Sequence, residues 1–288
     1  MTDAHRELPR THDVSPMRDR VLRRGRPVAG VLLRRWYDIR IHRADFVPRQ
    51  GPVLLAPNHV GYLDGPLLVG TAPRPVHAMI KQEMFHGALK PVLHAAGQIP
   101  LDRFNVDPHA VKLALRVLRD DKVLAIYPEG SRGAGDGRFV KRGWAYLATV
   151  TGAPIVPVAV FGSRVPGTSV SDVPPRGQRV DVVYGEPITV PAKPWPRRSS
   201  DVLALTEDLQ KRFREHIEQA QRLCGGTLPG AAPDAEGPEP GSIASEDAAT
   251  GEGGVGGAGG GAGGAAGPAS GGAGGAGGVG GAGSGGAP

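Results

Sequence analysis

From Gly225 to Pro288 the chain collapses to glycine and alanine. These 64 residues hold 27 of the 45 glycines and no lysine, arginine or aromatic residue. Such a tract cannot bury enough apolar surface to offset the entropy of ordering it. The expectation is a disordered tail over 225–288, with the folded part ending near Cys224 as one domain. A match to G-x-G-x-x-G at Gly254, Gly256 and Gly259 follows from composition alone. It follows no strand and opens no helix, so it says nothing about nucleotides.

The tail also masks the charge of the rest. It carries six acidic residues and no basic ones, so the formal net charge of +6 becomes +12 once it is set aside. A body this basic favours anionic partners: phospholipid, nucleic acid or a phosphorylated substrate. Much of the charge lies in 14–44, where Arg20, Arg23, Arg24, Arg34 and Arg35 interleave with Val21, Leu22, Val28, Leu32 and Trp36. That is the composition of a segment docking on an anionic membrane surface. The alternative is a solvated helix whose apolar stripe faces the core. Gly25, Pro27 and Gly30 argue against one clean helix there. Aromatic residues are few and are not spaced among the basic ones for base stacking, so nucleic acid is not expected as a partner.

No apolar run approaches the ~20 residues of a membrane span. The polar N-terminus, 1–13, is expected to be disordered and contains no apolar signal-peptide segment. The single Cys224 excludes an intramolecular disulfide and gives no metal cluster. The expected location is the cytoplasmic face of the cell membrane, attached peripherally.

Apolar runs at 53–56, 76–80, 122–127, 155–161 and 179–184 read as strands, with a shorter one around Ile39 and Ile41. Residues 84–96, interrupted by Pro91, read as a helix. So do 141–150, a segment opened by Asp107-Pro108, and a final stretch capped by Ser199 or Ser200. The alternation implies an α/β fold over 45–224, a single domain whose mostly parallel central sheet is flanked by helices. Ligands gather outside the carboxyl ends of such strands.

Three polar segments stand out. Asn58-His59 leaves the 53–56 strand, and Asp64 follows five residues after His59. A histidine accepts a proton near neutral pH. A carboxylate on its far ring nitrogen fixes the tautomer, so the pair can activate a hydroxyl without a covalent nucleophile. A plainer reading uses the same residues: Asp64 before Gly65-Pro66 as a helix N-cap, and His59 as a satisfied core histidine. The second segment, Glu129-Gly130-Ser131-Arg132-Gly133, follows the 122–127 strand. The third, Gly97 to Arg103, suits an extended piece of its own. Arg103 and Arg132 present paired donors that match phosphate oxygens, and Lys141 adds a point charge. The alternative for each is a surface ion pair. Glu129 suits either a polyol acceptor or the anchoring of an arginine. A serine-hydrolase elbow would need glycine at Glu129. With no Walker loop and no His-Glu-x-x-His, nucleotide phosphoryl transfer and zinc hydrolysis also drop away.

Taken together and in this order, the segments resemble the glycerolipid acyltransferase family, in particular bacterial 1-acylglycerol-3-phosphate acyltransferases. The resemblance rests on Asn58-His59-x4-Asp64, on Gly97-x-Ile99-x3-Arg103, on Tyr127-Pro128-Glu129-Gly130-Ser131-Arg132 and on Ile155-Val156-Pro157-Val158, and it covers about 45–187. It implies acyl transfer from acyl-CoA or acyl carrier protein to a lysophospholipid hydroxyl, with no metal or cofactor and no acyl-enzyme. His59 is then the base and Asp64 its orienting partner. Asn58, Arg103, Glu129, Gly130, Ser131, Arg132 and Lys141 are then expected to bind substrate, and 155–160 to build the core or an acyl tunnel. Gly61 departs from the family pattern, where serine is frequent, and so leaves the acceptor open. Glycerol-3-phosphate or another lysolipid is an alternative acceptor, and a non-catalytic basic membrane-binding protein is an alternative of a different class.

Overall fold

The computed structural model describes residues 8–235, 237, 238 and 241–249. In chain order the elements are α1 (Arg20–Trp36), β1 (Asp38–His42), β2 (Val53–Pro57), α2 (Asp64–Thr71), β3 (Val76–Lys81), α3 (Leu89–Ala95), β4 (Ile99–Leu101), α4 (Pro108–Arg119), β5 (Val123–Ala125), β6 (Phe139–Val140), α5 (Gly143–Thr151), β7 (Ile155–Phe161), β8 (Arg179–Tyr184), α6 (Ser199–Cys224), β9 (Ile243–Ala244) and α7 (Glu246–Ala249). Seven strands form one sheet in the order β1-β8-β7-β2-β5-β3-β4. All pairings in it are parallel except β7 with β8. The α/β expectation holds. The short β6 and β9 pair antiparallel apart from it.

β2 shows why the sheet sits where it does. Every residue of Val53–Pro57 is buried, as a central parallel strand requires. Successive side chains point to opposite faces. Leu54 and Ala56 join α4, α5 and α6 residues such as Leu115, Trp144 and Phe213 in one apolar layer. Val53 and Leu55 join Leu67 and Leu68 of α2 in the other, with Leu33 of α1 packed against it.

Several boundaries differ from expectation for physical reasons. Residues 20–36 form one continuous helix despite Pro27. A proline inside a helix costs about 3 kcal/mol, and the packing of α1 on α2 offsets it. Gly30 is there for close approach: a Cβ on it would lie 2.7 Å from the Gly70 carbonyl oxygen. Pro91 does not interrupt a helix but sits in the first turn of α3, where its missing N–H is no loss. Asp107 caps α4 as expected, accepting from the Ala110 amide at 2.9 Å, whereas α6 starts at Ser199 with no side-chain cap.

Parts of both ends expected to be disordered are ordered. Residues 8–13 pack on the body: Arg119 donates to the Pro9 carbonyl at 2.8 Å, and Thr11 is buried. Past Cys224, Asp234 accepts from the Ser169 hydroxyl at 2.6 Å, and β9 pairs with β6. Residues 1–7 and the Gly/Ala-rich stretch from 250 lie outside the described residues. Among the described residues no helix is long and apolar enough to cross a membrane.

Candidate active site

The chain leaves β2 through Asn58, which is fully buried. Its amide nitrogen donates to the carbonyls of Gly135 (3.1 Å) and Val160 (3.3 Å), and its oxygen accepts the Val160 N–H at 2.7 Å. One side chain therefore ties the β2 exit to β7 and to the loop after β5. Glu129 in that loop accepts the backbone N–H of His59 at 2.6 Å and that of Gly137 at 3.0 Å. Burial pushes its carboxyl up to about 8, against the pull of those two amides.

The backbone so fixed presents His59 to Asp64. Asp64 is the first residue of α2 and turns its carboxylate back over the loop. Its Oδ2 accepts His59 Nδ1 at 2.9 Å and the amides of Val60 (2.8 Å) and Gly61 (2.9 Å). Asp64 therefore does not act as an N-cap. With Nδ1–H given to Asp64, Nε2 carries the lone pair. Burial lowers the pKa of His59 and the cations of Arg132 and Lys81 push the same way, while Asp64 opposes them. The imidazole is thus kept neutral and able to accept a proton. Tyr127 stacks on it with ring centroids 3.9 Å apart, and burial holds the Tyr127 phenol well above its usual range.

His59 opens into a cavity of about 540 Å³ at the carboxyl ends of β3 and β5. Its lining includes the apolar Val69, Met79, Leu89, Val92, Leu93 and Leu147 and the cationic Lys81, Arg103, Arg132 and Lys141. Arg132 donates to the Val170 carbonyl at 3.1 Å and lies over the Tyr62 ring. Arg103 lies over the Phe104 ring. A neutral base in a cavity lined by both cationic and apolar side chains fits a substrate that is a phosphate at one end and a hydrocarbon at the other. Among the described residues no group of His, Cys, Asp and Glu is placed to hold a metal.

The acyltransferase family model matches residues 38–161. Over 190 residues the chain is 28% identical to a 1-acyl-sn-glycerol-3-phosphate acyltransferase of Bacillus subtilis, covering 64% of this chain and 91% of that protein. A Streptococcus pneumoniae protein of the same description is 29% identical over 153 residues, 52% of this chain and 55% of that one. These matches support the glycerolipid acyltransferase family for this chain. It is an O-acyltransferase. The fold is shared with the crystal structure of the 1-acyl-sn-glycerophosphate (LPA) acyltransferase PlsC from Thermotoga maritima, at TM-score 0.53 and 20% identity over 70% of this chain and 80% of that one.

In this acyltransferase the expected site residues divide. His59, Arg103, Gly130, Arg132 and Lys141 line the cavity, with Asp64 behind His59. Gly130 has φ +76°, which suits glycine at this turn. Asn58 and Glu129 lie outside the cavity wall, and each gives its polar atoms to backbone groups of the surrounding loops. Ser131 lies outside the cavity wall, as do 155–160, which are core. Gly61 is buried beneath Ser163 and Arg164 and lies outside the cavity wall. Sequence reasoning missed Lys81 and the stacking role of Tyr127. The strand-exit rule, applied to β3, would have found Lys81.

Proposed function

We propose that this acyltransferase moves an acyl chain from acyl-CoA or acyl carrier protein to the free hydroxyl of 1-acylglycerol-3-phosphate, giving phosphatidate. Nε2 of His59 takes the hydroxyl proton as that oxygen attacks the thioester carbonyl. Collapse of the tetrahedral intermediate expels the thiolate, which takes the proton back from His59. Asp64 holds the imidazole in register and balances its transient charge. No acyl-enzyme is required, and Cys224, at the end of α6, is not in the cavity wall. The acceptor phosphate lies against Arg103, Arg132, Lys81 and Lys141, and the acyl chain along the apolar lining residues. The observation that carries this reading is the His59–Asp64 hydrogen bond at the edge of a cavity lined by cationic and apolar side chains. The names of the Bacillus and Streptococcus relatives support the acceptor.

The acceptor and product are lipids, and α1 suits a bilayer surface. Its face away from α2 exposes Val21, Val28, Leu32 and Trp36, with Arg24 and Arg35 beside them. Each basic residue near an anionic surface contributes about 1 kcal/mol. Phe104 and Val106 are exposed next to the cavity residues Arg103 and Asn105. The protein then lies peripherally on the cytoplasmic face.

Thioester consumption with palmitoyl-CoA and lysophosphatidate tests the reaction. His59→Ala is expected to lower kcat by about 10²–10⁴-fold. Retained activity in that variant would overturn the base assignment. A panel of acceptors including glycerol-3-phosphate and other lysolipids separates the proposed acceptor from its alternatives.

A further inference from the structure

Asp64 has two carboxylate oxygens, and the catalytic reading uses only one of them. Oδ2 is filled by three donors, His59 Nδ1 and the amides of Val60 and Gly61. Oδ1 accepts the hydroxyl of Ser163 at 2.5 Å, and both residues are fully buried. Ser163 lies two residues beyond β7, outside all four sequence segments that resemble the family.

We propose that Ser163 is a positioning residue for the base: its hydroxyl locks the rotation of the Asp64 carboxylate so that Oδ2 stays on His59 Nδ1. This rests on His59 being the base. Three observations support it. The parallel pairing of β2 with β7 carries residue 163 to the far side of the loop that holds His59. The neighbouring Arg164 grips the same loop, donating from Nε to the Val60 carbonyl at 2.7 Å and from Nη2 to the Gly133 carbonyl at 3.0 Å. And a Cβ at position 61 would lie 3.1 Å from the Ser163 carbonyl oxygen and 3.1 Å from Arg164 Cβ. A side chain at 61 would press on the backbone of Ser163, so glycine there eases the approach of Ser163 to Asp64. Gly61 and Ser163 thus work as a pair: the loop gives up a side chain and receives a hydroxyl from across the sheet.

The hydroxyl also draws charge from the carboxylate. Without it, more negative charge faces Nδ1–H, so His59 holds its proton to higher pH and the acid limb of the rate profile moves upward. The other groups that bear on His59 are Lys81 from β3 and Tyr127, Glu129 and Arg132 from the segment after β5.

The test compares Ser163→Ala, Ser163→Thr and His59→Ala for kcat, KM and pH profile, normalised to folded protein by circular dichroism. Ser163→Ala is expected to lower kcat by about 10- to 100-fold with little change in KM, and to raise the acid limb. Ser163→Thr, which keeps the hydroxyl, recovers most of the rate and the wild-type limb. If Ser163→Ala loses folded protein but keeps wild-type kcat and acid limb per folded molecule, Ser163 is merely structural and the proposal is overturned. If Ser163→Ala does not fold, Ser163→Gly, which also lacks a donor, takes its place, and a wild-type limb there overturns the proposal equally. Full activity in His59→Ala would instead sink the base assignment, and Ser163 with it.

Discussion

The two sides of this cavity are built to different tolerances. On the base side, Asn58 and Asp64 are fully buried, and Asn58, Asp64 and Glu129 spend their polar atoms on backbone amides, carbonyls or each other's neighbours. On the cationic side the groups are long side chains leaning on aromatic rings, Arg132 over Tyr62 and Arg103 over Phe104. Rigid support suits a proton transfer, which fails with small displacements. Long, adjustable arms suit recognition of a charged headgroup whose exact position varies. The chemistry is therefore specified more tightly than the acceptor.

Substitutions on the two sides are expected to separate in kind as well as in size. The largest effect belongs to Asp64→Asn, which leaves the loop's shape but favours the wrong tautomer of His59. A loss of about 10³–10⁴-fold in kcat with KM nearly unchanged is expected in steady-state assays. A rise in KM instead would erase the distinction between the two sides. Arg132→Ala comes next. KM for the phosphate-bearing acceptor is expected to rise about 10- to 100-fold, more than kcat falls, and Lys at 132 restores only part because it lacks the paired donors.

Further from the chemistry, Leu32→Ala on the exposed face of α1 is expected to weaken binding to anionic vesicles by about tenfold in sedimentation, with thioester turnover on dispersed substrate unchanged. The smallest effect is on stability. Folding raises the Glu129 carboxyl from 4.5 to about 8. An acid raised in this way gives its full share of stability below 4.5 and loses it as pH rises to about 8. The melting temperature is therefore expected to fall across that window, and Glu129→Gln, which stays neutral, to show a flatter profile. A melting curve of equal slope in both proteins would remove Glu129 from the supports of the base.

The sequence made the strands legible because a two-sided buried strand such as Val53–Pro57 leaves an uninterrupted apolar run. The His59–Asp64 pair was legible because both members lie in one short segment. Asn58 and Glu129 show where sequence is ambiguous: a polar side chain that holds a loop looks, in sequence, the same as one that holds a substrate. Only burial and the direction of its hydrogen bonds separate the two. Gly30 was misread as a breaker because helix contact with Gly70 depends on a segment 40 residues away in the chain. Ser163 could not be found at all, since its partner lies 99 residues earlier and the link exists only through the pairing of β2 and β7.

That same pairing has a consequence for how the enzyme comes into being. β2 occupies the middle of the sheet, yet its neighbours β5 and β7 are made about 70 and 100 residues later on the ribosome. At about 5–20 residues per second, the segment carrying His59 waits on the order of 5–20 s for Val158, Val160 and Ser163 to arrive. Until β5 emerges the Val53–Ala56 run has no strand on either side, and until β7 emerges one of its edges stays unpaired; an unpaired apolar edge of this kind invites association between nascent chains. The base and this central apolar strand are therefore completed together, by one late segment of the polypeptide.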